Sequence, residues 1–278
     1  MSPVLCRHAL RVFEASFSQT RAASVNMSNA VARIAENVAE VRGRIATAAA
    51  RSGRAADAVT LVAVTKYVSD EAVRGVVAAG CKELGESRPQ QIWQRASDLV
   101  GLPIRWHMIG HLQRNKVRRT LPVVSLIHSV DSARLLAAID EELAHLPAAS
   151  SGEGRRPDAG DTAIRRQAVL LEVNVSGETA KHGLRPAEVE PLLASLAECR
   201  HVGVRGLMCM AGLEGDLDTA RREFASLREL RDHLRPRCPP EATLDELSMG
   251  MSGDFEVAVE EGATLVRVGS ALFEGIAN

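Results

Sequence analysis

From residue 60 onward the chain alternates between two hydrophobic patterns. Short runs, most of them rich in Val, Ile and Leu, predict strands over 60–66, 82–85, 105–109, 123–128, 167–175, 202–208, 243–248 and 264–268. Between them, apolar residues recur every three or four positions and predict helices over 69–79, 88–99, 113–120, 131–145, 186–199, 217–235 and 254–261, with a closing helix from about Ala271. Ahead of this series, Ser28 is placed to cap a helix reaching about Ala50, in which Val31, Ile34, Val38, Val41 and Ile45 are spaced by three and four. Eight strand–helix alternations within roughly 220 residues fit an α/β fold of the (β/α)8 TIM-barrel type, with an additional N-terminal helix, better than a doubly wound sheet of five or six strands.

Two stretches interrupt the pattern. Residues 1–26 hold Arg7, Arg11 and Arg21 with Glu14 as the sole acid, which suits either an organelle-targeting leader or an upstream start ahead of Met27. Residues 147–161 are polar and rich in Gly and Pro, as expected of a flexible surface insertion. The remainder, 27–278, is expected to form one domain.

Composition narrows the partners. Among 278 residues, 34 Lys and Arg nearly balance 35 Asp and Glu, so no global field favours nucleic acid or an anionic membrane. The basic run Arg114, Lys116, Arg118 and Arg119 lacks interleaved aromatics and is expected to be a solvated face. Five cysteines without C-x-x-C spacing argue against a disulfide framework and a zinc site, and point to reduced thiols in the cytoplasm. No apolar stretch reaches the about 18 residues of a membrane span.

Chemistry in such barrels collects at the C-terminal ends of the strands. Lys66 closes the run Thr60 to Thr65, placing a primary amine at the mouth, and strand alternation turns Tyr67 away from it. Strand 5 contributes Asn174 and a loop with Lys181, strand 6 contributes Met208, strand 7 contributes Ser248, Met251 and Ser252, and strand 8 contributes Arg267, Gly269 and Ser270. The last two loops place small residues and backbone N–H groups ahead of helices, an arrangement that holds phosphate. An anion site at one rim and an amine across the mouth suggest pyridoxal 5′-phosphate, which carries a phosphate and an aldehyde. Alternation turns Arg267 to the face opposite its neighbours, where the pyridine nitrogen would accept its hydrogen bond. A partner that stays protonated makes the ring a weak electron sink and handicaps carbanion chemistry.

Several motifs carry a family resemblance: Val62-Ala63-Val64-Thr65-Lys66, Leu84-Gly85-Glu86, Trp106-His107-Met108-Ile109-Gly110-His111-Leu112-Gln113, Ile127-His128-Ser129-Val130-Asp131, Arg205-Gly206-Leu207-Met208, Leu247-Ser248-Met249-Gly250-Met251-Ser252 and Val266-Arg267-Val268-Gly269. In this order they resemble the pyridoxal phosphate homeostasis protein family, small relatives of the alanine racemase N-terminal barrel. The resemblance runs from about Ala30 to Glu274. It implies a cofactor joined to Lys66 as a Schiff base, a phosphate held by Ser252, Gly269 and Ser270, and a role in holding pyridoxal phosphate and delivering it to apo-enzymes without an established turnover reaction. One departure stands out: Ser87 follows Gly85-Glu86 where the family commonly has Asn.

Other roles are open at this level. Lys181 is a second amine at the rim and a candidate acceptor during transfer. His111 is a pocket neighbour or a helix cap, while His107 and His128 read as hydrogen-bonded core. Met208, Met249 and Met251 fit a deformable pocket wall or ordinary core. An amino-acid racemase would need a second acid/base, usually tyrosine, facing the lysine, and the chain has one tyrosine. A Schiff-base aldolase would need a rim carboxylate, for which Glu86 is the visible candidate. A monomer is expected.

Overall fold

A computed structural model of the chain describes residues 29–146, 166–178, 181–212 and 215–276. The 1–26 segment and the 147–161 insertion lie outside the described residues. Helix α1 (29–51) comes first. It is followed by β1 (Thr60–Val64), α2 (Asp70–Ala78), β2 (Glu83–Glu86), α3 (Pro89–Asp98), β3 (Arg105–Met108), α4 (Val117–Thr120), β4 (Val124–Val130) and α5 (Ala133–Ala144). Then come β5 (Gln167–Glu172), α6 (Pro186–Ala194), β6 (Val202–Met208), α7 (Leu217–Leu234), β7 (Ala242–Ser248), α8 (Phe255–Glu260) and β8 (Leu265–Val268). The strands form one closed parallel barrel in chain order, and β8 returns to β1 with Thr60 opposite Leu265 and Ala63 opposite Val268.

All eight expected strands are present, but the expected closing helix is not. After β8 the chain makes only a short 3-10 turn, Ser270–Leu272. The reason is that α1 already fills that position in the outer ring. On one side a Cβ on Gly75 of α2 would lie 3.0 Å from Ile34 Cδ1 of α1. On the other, Arg44 and Arg51 of α1 pair with Glu256 and Glu260 of α8. Asn37 Nδ2 donates to the carbonyls of Leu272 (3.2 Å) and Glu274 (3.0 Å), tying the chain's last turn down onto the same helix. Ile34, Val38, Val41 and Ile45 form the buried stripe of α1, whereas Val31 is 38% exposed and lies outside it.

The large apolar core lies outside the barrel, between strands and helices. Leu84, Met108, Ile127, Val169, Leu171, Leu207, Val266 and Val268 point into it and meet Ile92, Leu136, Ile139, Phe224 and Phe255 from the helices. Each fully buried aliphatic or aromatic side chain there contributes about 1.5–3 kcal/mol. Inside the barrel a separate small cluster holds Val62, Leu170, Met208 and Leu265, with Leu126 against it. Register shifts in β3/β4, β4/β5, β5/β6 and β6/β7 adjust which side chains reach the axis. Two glycines hold the rim together. A Cβ on Gly110 would fall 2.3 Å from Ser87 O, and Gly250 has φ +91° with its would-be Cβ 2.5 Å from Ala258 Cβ.

Candidate functional site at the barrel mouth

β1 ends at Val64, two residues before Lys66. The alternation carries on past the strand: Thr65 N–H still donates to Gly85 O (3.1 Å), and the Thr65 hydroxyl turns outward to donate to Glu86 Oε1 (2.6 Å). With Thr65 outward, Lys66 is on the mouth side. It is exposed. No carboxylate among the described residues pairs with its Nζ. The expectation for Tyr67 fails, because its φ of +67° breaks the alternation. Its ring, 65% exposed, lies with its centroid 5.9 Å from Lys66 Nζ instead of pointing away.

The anion loops are beside Lys66 and not across from it. Since β8 pairs with β1, a Cβ on Gly269 would be 3.4 Å from Val64 Cβ and Val64 O. Ser252 Oγ is held between two backbone donors, Gly269 N–H (3.1 Å) and Ala271 N–H (3.5 Å), with Ser270 exposed between them. Met251 N–H is fixed by Asp254 Oδ1 at 2.6 Å. The six-residue α8 and the 3-10 turn supply little macrodipole, so this cradle works through converging N–H and O–H groups.

Below the cradle, Arg267 faces the barrel axis as alternation predicts, 3% exposed. Nη1 donates to Ser248 Oγ (2.5 Å) and Nη2 to Cys209 O (2.8 Å), which leaves further N–H groups of the five in a guanidinium. Burial lowers its pKa from the usual range, and it stays charged. Burial also pushes the neighbouring Cys209 thiol up to about 12, so it is inert. Met208 belongs to the apolar cluster beneath the mouth, Met249 is fully buried among the helices, and Met251 is half-buried at the rim.

The fifth loop differs from expectation. β5 ends at Glu172, so Asn174 is in the loop and its amide organises that loop: Nδ2 donates to Glu178 O (2.8 Å), and Oδ1 accepts from Ser176 Oγ (3.1 Å) and Gly177 N (3.0 Å). Lys181 Nζ is held by Glu178 Oε1 (3.0 Å) and Ser176 Oγ (3.3 Å). Glu172, at the end of β5, is an inward carboxylate that the sequence reading missed. It is buried, it shares the inward side with Leu170 by alternation, and its pKa is raised by burial and by Asp131, against the pull of His182 and Arg267. Counting two positions on from Leu170 would have marked it.

Glu86, proposed as a rim carboxylate, faces the helix layer, fully buried between Arg95 and Thr65. His111 does not cap a helix. Its Nδ1 is 3.2 Å from Asp131 Oδ2, and its ring stacks on His182 with centroids 4.8 Å apart. Arg114, Arg118 and Arg119 are exposed, and Arg119 lies over the Trp93 ring.

The residues present fit pyridoxal phosphate on two observations. Its aldehyde and phosphate arms leave neighbouring ring carbons, which requires an amine next to an anion cradle, as found for Lys66 and the Ser252–Gly269 loops. Its ring nitrogen is opposite the aldehyde and calls for a donor deeper in the barrel, where Arg267 has N–H groups to offer.

A closed barrel with a lysine just past the first strand and an anion cradle after the last two defines the alanine racemase N-terminal domain class, and the family model of that description matches residues 30–276. Two curated relatives are 37% and 38% identical: the pyridoxal phosphate homeostasis protein of Aquifex aeolicus, over 86% of this chain and 96% of that one, and its namesake from Pseudomonas aeruginosa, over 86% and 94%. PipY of Synechococcus elongatus, solved with PLP bound, superposes with a TM-score of 0.71 at 33% identity over 86% of this chain and 99% of that one. The chain belongs to the pyridoxal phosphate homeostasis protein family.

Proposed function

We propose that this protein binds pyridoxal 5′-phosphate and takes part in its homeostasis, holding the cofactor reversibly on Lys66 and releasing it to apo-enzymes. The observation that carries this is a lysine with no carboxylate partner among the described residues, beside a cradle of backbone and hydroxyl donors. PipY, 33% identical, has been solved with this cofactor bound.

Lys66 would hold the cofactor through its side-chain nitrogen, the nucleophile that the aldehyde calls for. Ser252, Gly269 and Ser270 hold the phosphate arm. Ser248 and Arg267 set the hydrogen bond to the ring nitrogen, and Met208 and Met251 supply apolar wall. Asn174 acts through its loop, presenting Lys181 at the rim. Lys181 is a second acceptor during transfer once its pair with Glu178 opens.

Bound pyridoxal phosphate supplies an electron sink, and a charged Arg267 at the ring nitrogen weakens that sink, which favours holding over turnover. We place this work in the cytoplasm, in line with Cys81, Cys199, Cys209 and Cys238 being free thiols.

Purified protein mixed with the cofactor should become yellow, keep the colour through desalting and lose it on sodium borohydride. Lys66→Ala should stay colourless. A Lys66→Ala protein that retains stoichiometric yellow cofactor overturns the proposal. Exchange of the α-proton of alanine in deuterated water would instead favour a racemase.

A further inference from the structure

Behind the site a line of polar side chains crosses the barrel interior. Ser248 Oγ, which accepts from Arg267 Nη1, is 2.8 Å from His128 Nδ1. His128 Nε2 is 2.9 Å from His107 Nδ1, and His107 Nε2 is 2.9 Å from Glu83 Oε2. Glu83 pairs with Arg105, which is partly exposed and borders an open hollow of about 680 Å³ at that end of the barrel. Five strands each contribute one member, and His107, His128, Ser248 and Arg267 are all buried.

Only one arrangement of protons satisfies every contact. Both histidines are neutral: burial lowers the His107 pKa to about 3 and holds His128 well below its usual value. Glu83, paired with Arg105, can only accept, so His107 carries its proton on Nε2 and presents a bare Nδ1. His128 must then donate from Nε2 and accept at Nδ1, which is met by the Ser248 hydroxyl. Ser248 in turn has its lone pairs left for Arg267. The reverse order would set a bare imidazole nitrogen against a carboxylate.

We propose that Glu83, His107 and His128 are positioning residues that act on the cofactor through Ser248 and Arg267. The line fixes the direction of every hydrogen bond from the barrel floor to Ser248, whose lone pairs then hold the guanidinium in place beneath the ring nitrogen. Arg267 donates whatever its partners, so what is set from the far end of the barrel is its position. The link to the ring rests on the proposed binding of pyridoxal phosphate, while the proton order does not.

The test has two parts. In cofactor-free protein, histidine ¹⁵N NMR at neutral pH should find His107 and His128 neutral with the proton on Nε2. Either ring protonated on Nδ1, or charged, overturns the proposal. Because this measurement needs neither a variant nor a cofactor, it stands even if binding fails.

The second part uses Glu83→Met, which removes the acceptor, and Glu83→Gln, whose amide oxygen still accepts. Glu83→Met should scramble the tautomers and shift the pH midpoint of the bound cofactor's visible band by about half a unit or more, while Glu83→Gln should restore both toward wild type. Wild-type tautomers and midpoint in Glu83→Met overturn the proposal, as does an unmoved midpoint where the tautomers have scrambled.

Discussion

The two faces of the same eight strands are built from opposite chemistry. Toward the helices they present Leu84, Met108, Ile127, Val169, Leu171 and Val266, all fully buried in a continuous apolar layer. Toward the axis they present a five-residue apolar patch and, beside it, the polar line from Glu83 to Arg267. The helix-facing layer holds the fold together by removing area from water. The axial face adds little area and contributes hydrogen-bonded groups whose order depends on their partners. Damage to the helix-facing layer should therefore appear in stability alone, whereas damage to the axial line should also appear in the behaviour of the bound cofactor.

The largest separation should come from Phe224→Ala in α7. Emptying a fully buried aromatic site is expected to destabilise the protein by about 3–5 kcal/mol in urea unfolding, with the visible band of bound cofactor unmoved. A shifted band in this variant would mean that the faces are not independent.

Acid should attack the axial face next. His107 and His128 are held below the usual 6.5 by burial, so the folded state takes up their protons less readily than the unfolded chain. The stability they contribute is complete above about pH 6.5 and is lost as pH falls toward their folded values, at about 1.4 kcal/mol per pH unit for each ring. Urea midpoints at pH 7 and pH 5 measure the slope. Replacing His107 by Gln should flatten it by one ring's share, and an unchanged slope would show that carboxylates alone govern the acid limb.

Ser252→Ala should have the smallest effect. It removes one hydroxyl from the anion cradle and leaves the Gly269 and Ala271 N–H groups in place, so affinity for the cofactor should fall about tenfold, or about 1.4 kcal/mol, with stability unaltered. Equilibrium dialysis reads it directly.

The helix-facing layer was legible in the sequence because it obeys local periodicity. β-branched runs marked six of the strands, β2 and β3 being placed by their spacing between helices, and the stripe Ile34, Val38, Val41 and Ile45 marked α1. Lys66 and Arg267 were legible for the same reason, each standing at a predictable phase of a strand.

What was hidden depends on relations between strands. Glu83, His107, His128 and Ser248 meet only through barrel closure and the register shifts around β4, which no single segment encodes. The left-handed turn at Tyr67 broke an alternation that sequence assumed. The closing helix is absent because α1 already occupies its place, which nothing in the local pattern reveals. β5 stops at Glu172, three residues short of the predicted strand, so the inward position at its end is held by Glu172 and not by Asn174.

The most direct test of the proposed function is mass-spectrometric peptide mapping after borohydride reduction of protein loaded with one equivalent of pyridoxal phosphate. The label should fall on the peptide containing Lys66, with Lys181 modified only when cofactor is in excess. A label found on another lysine at one equivalent, or no label at all, would contradict it.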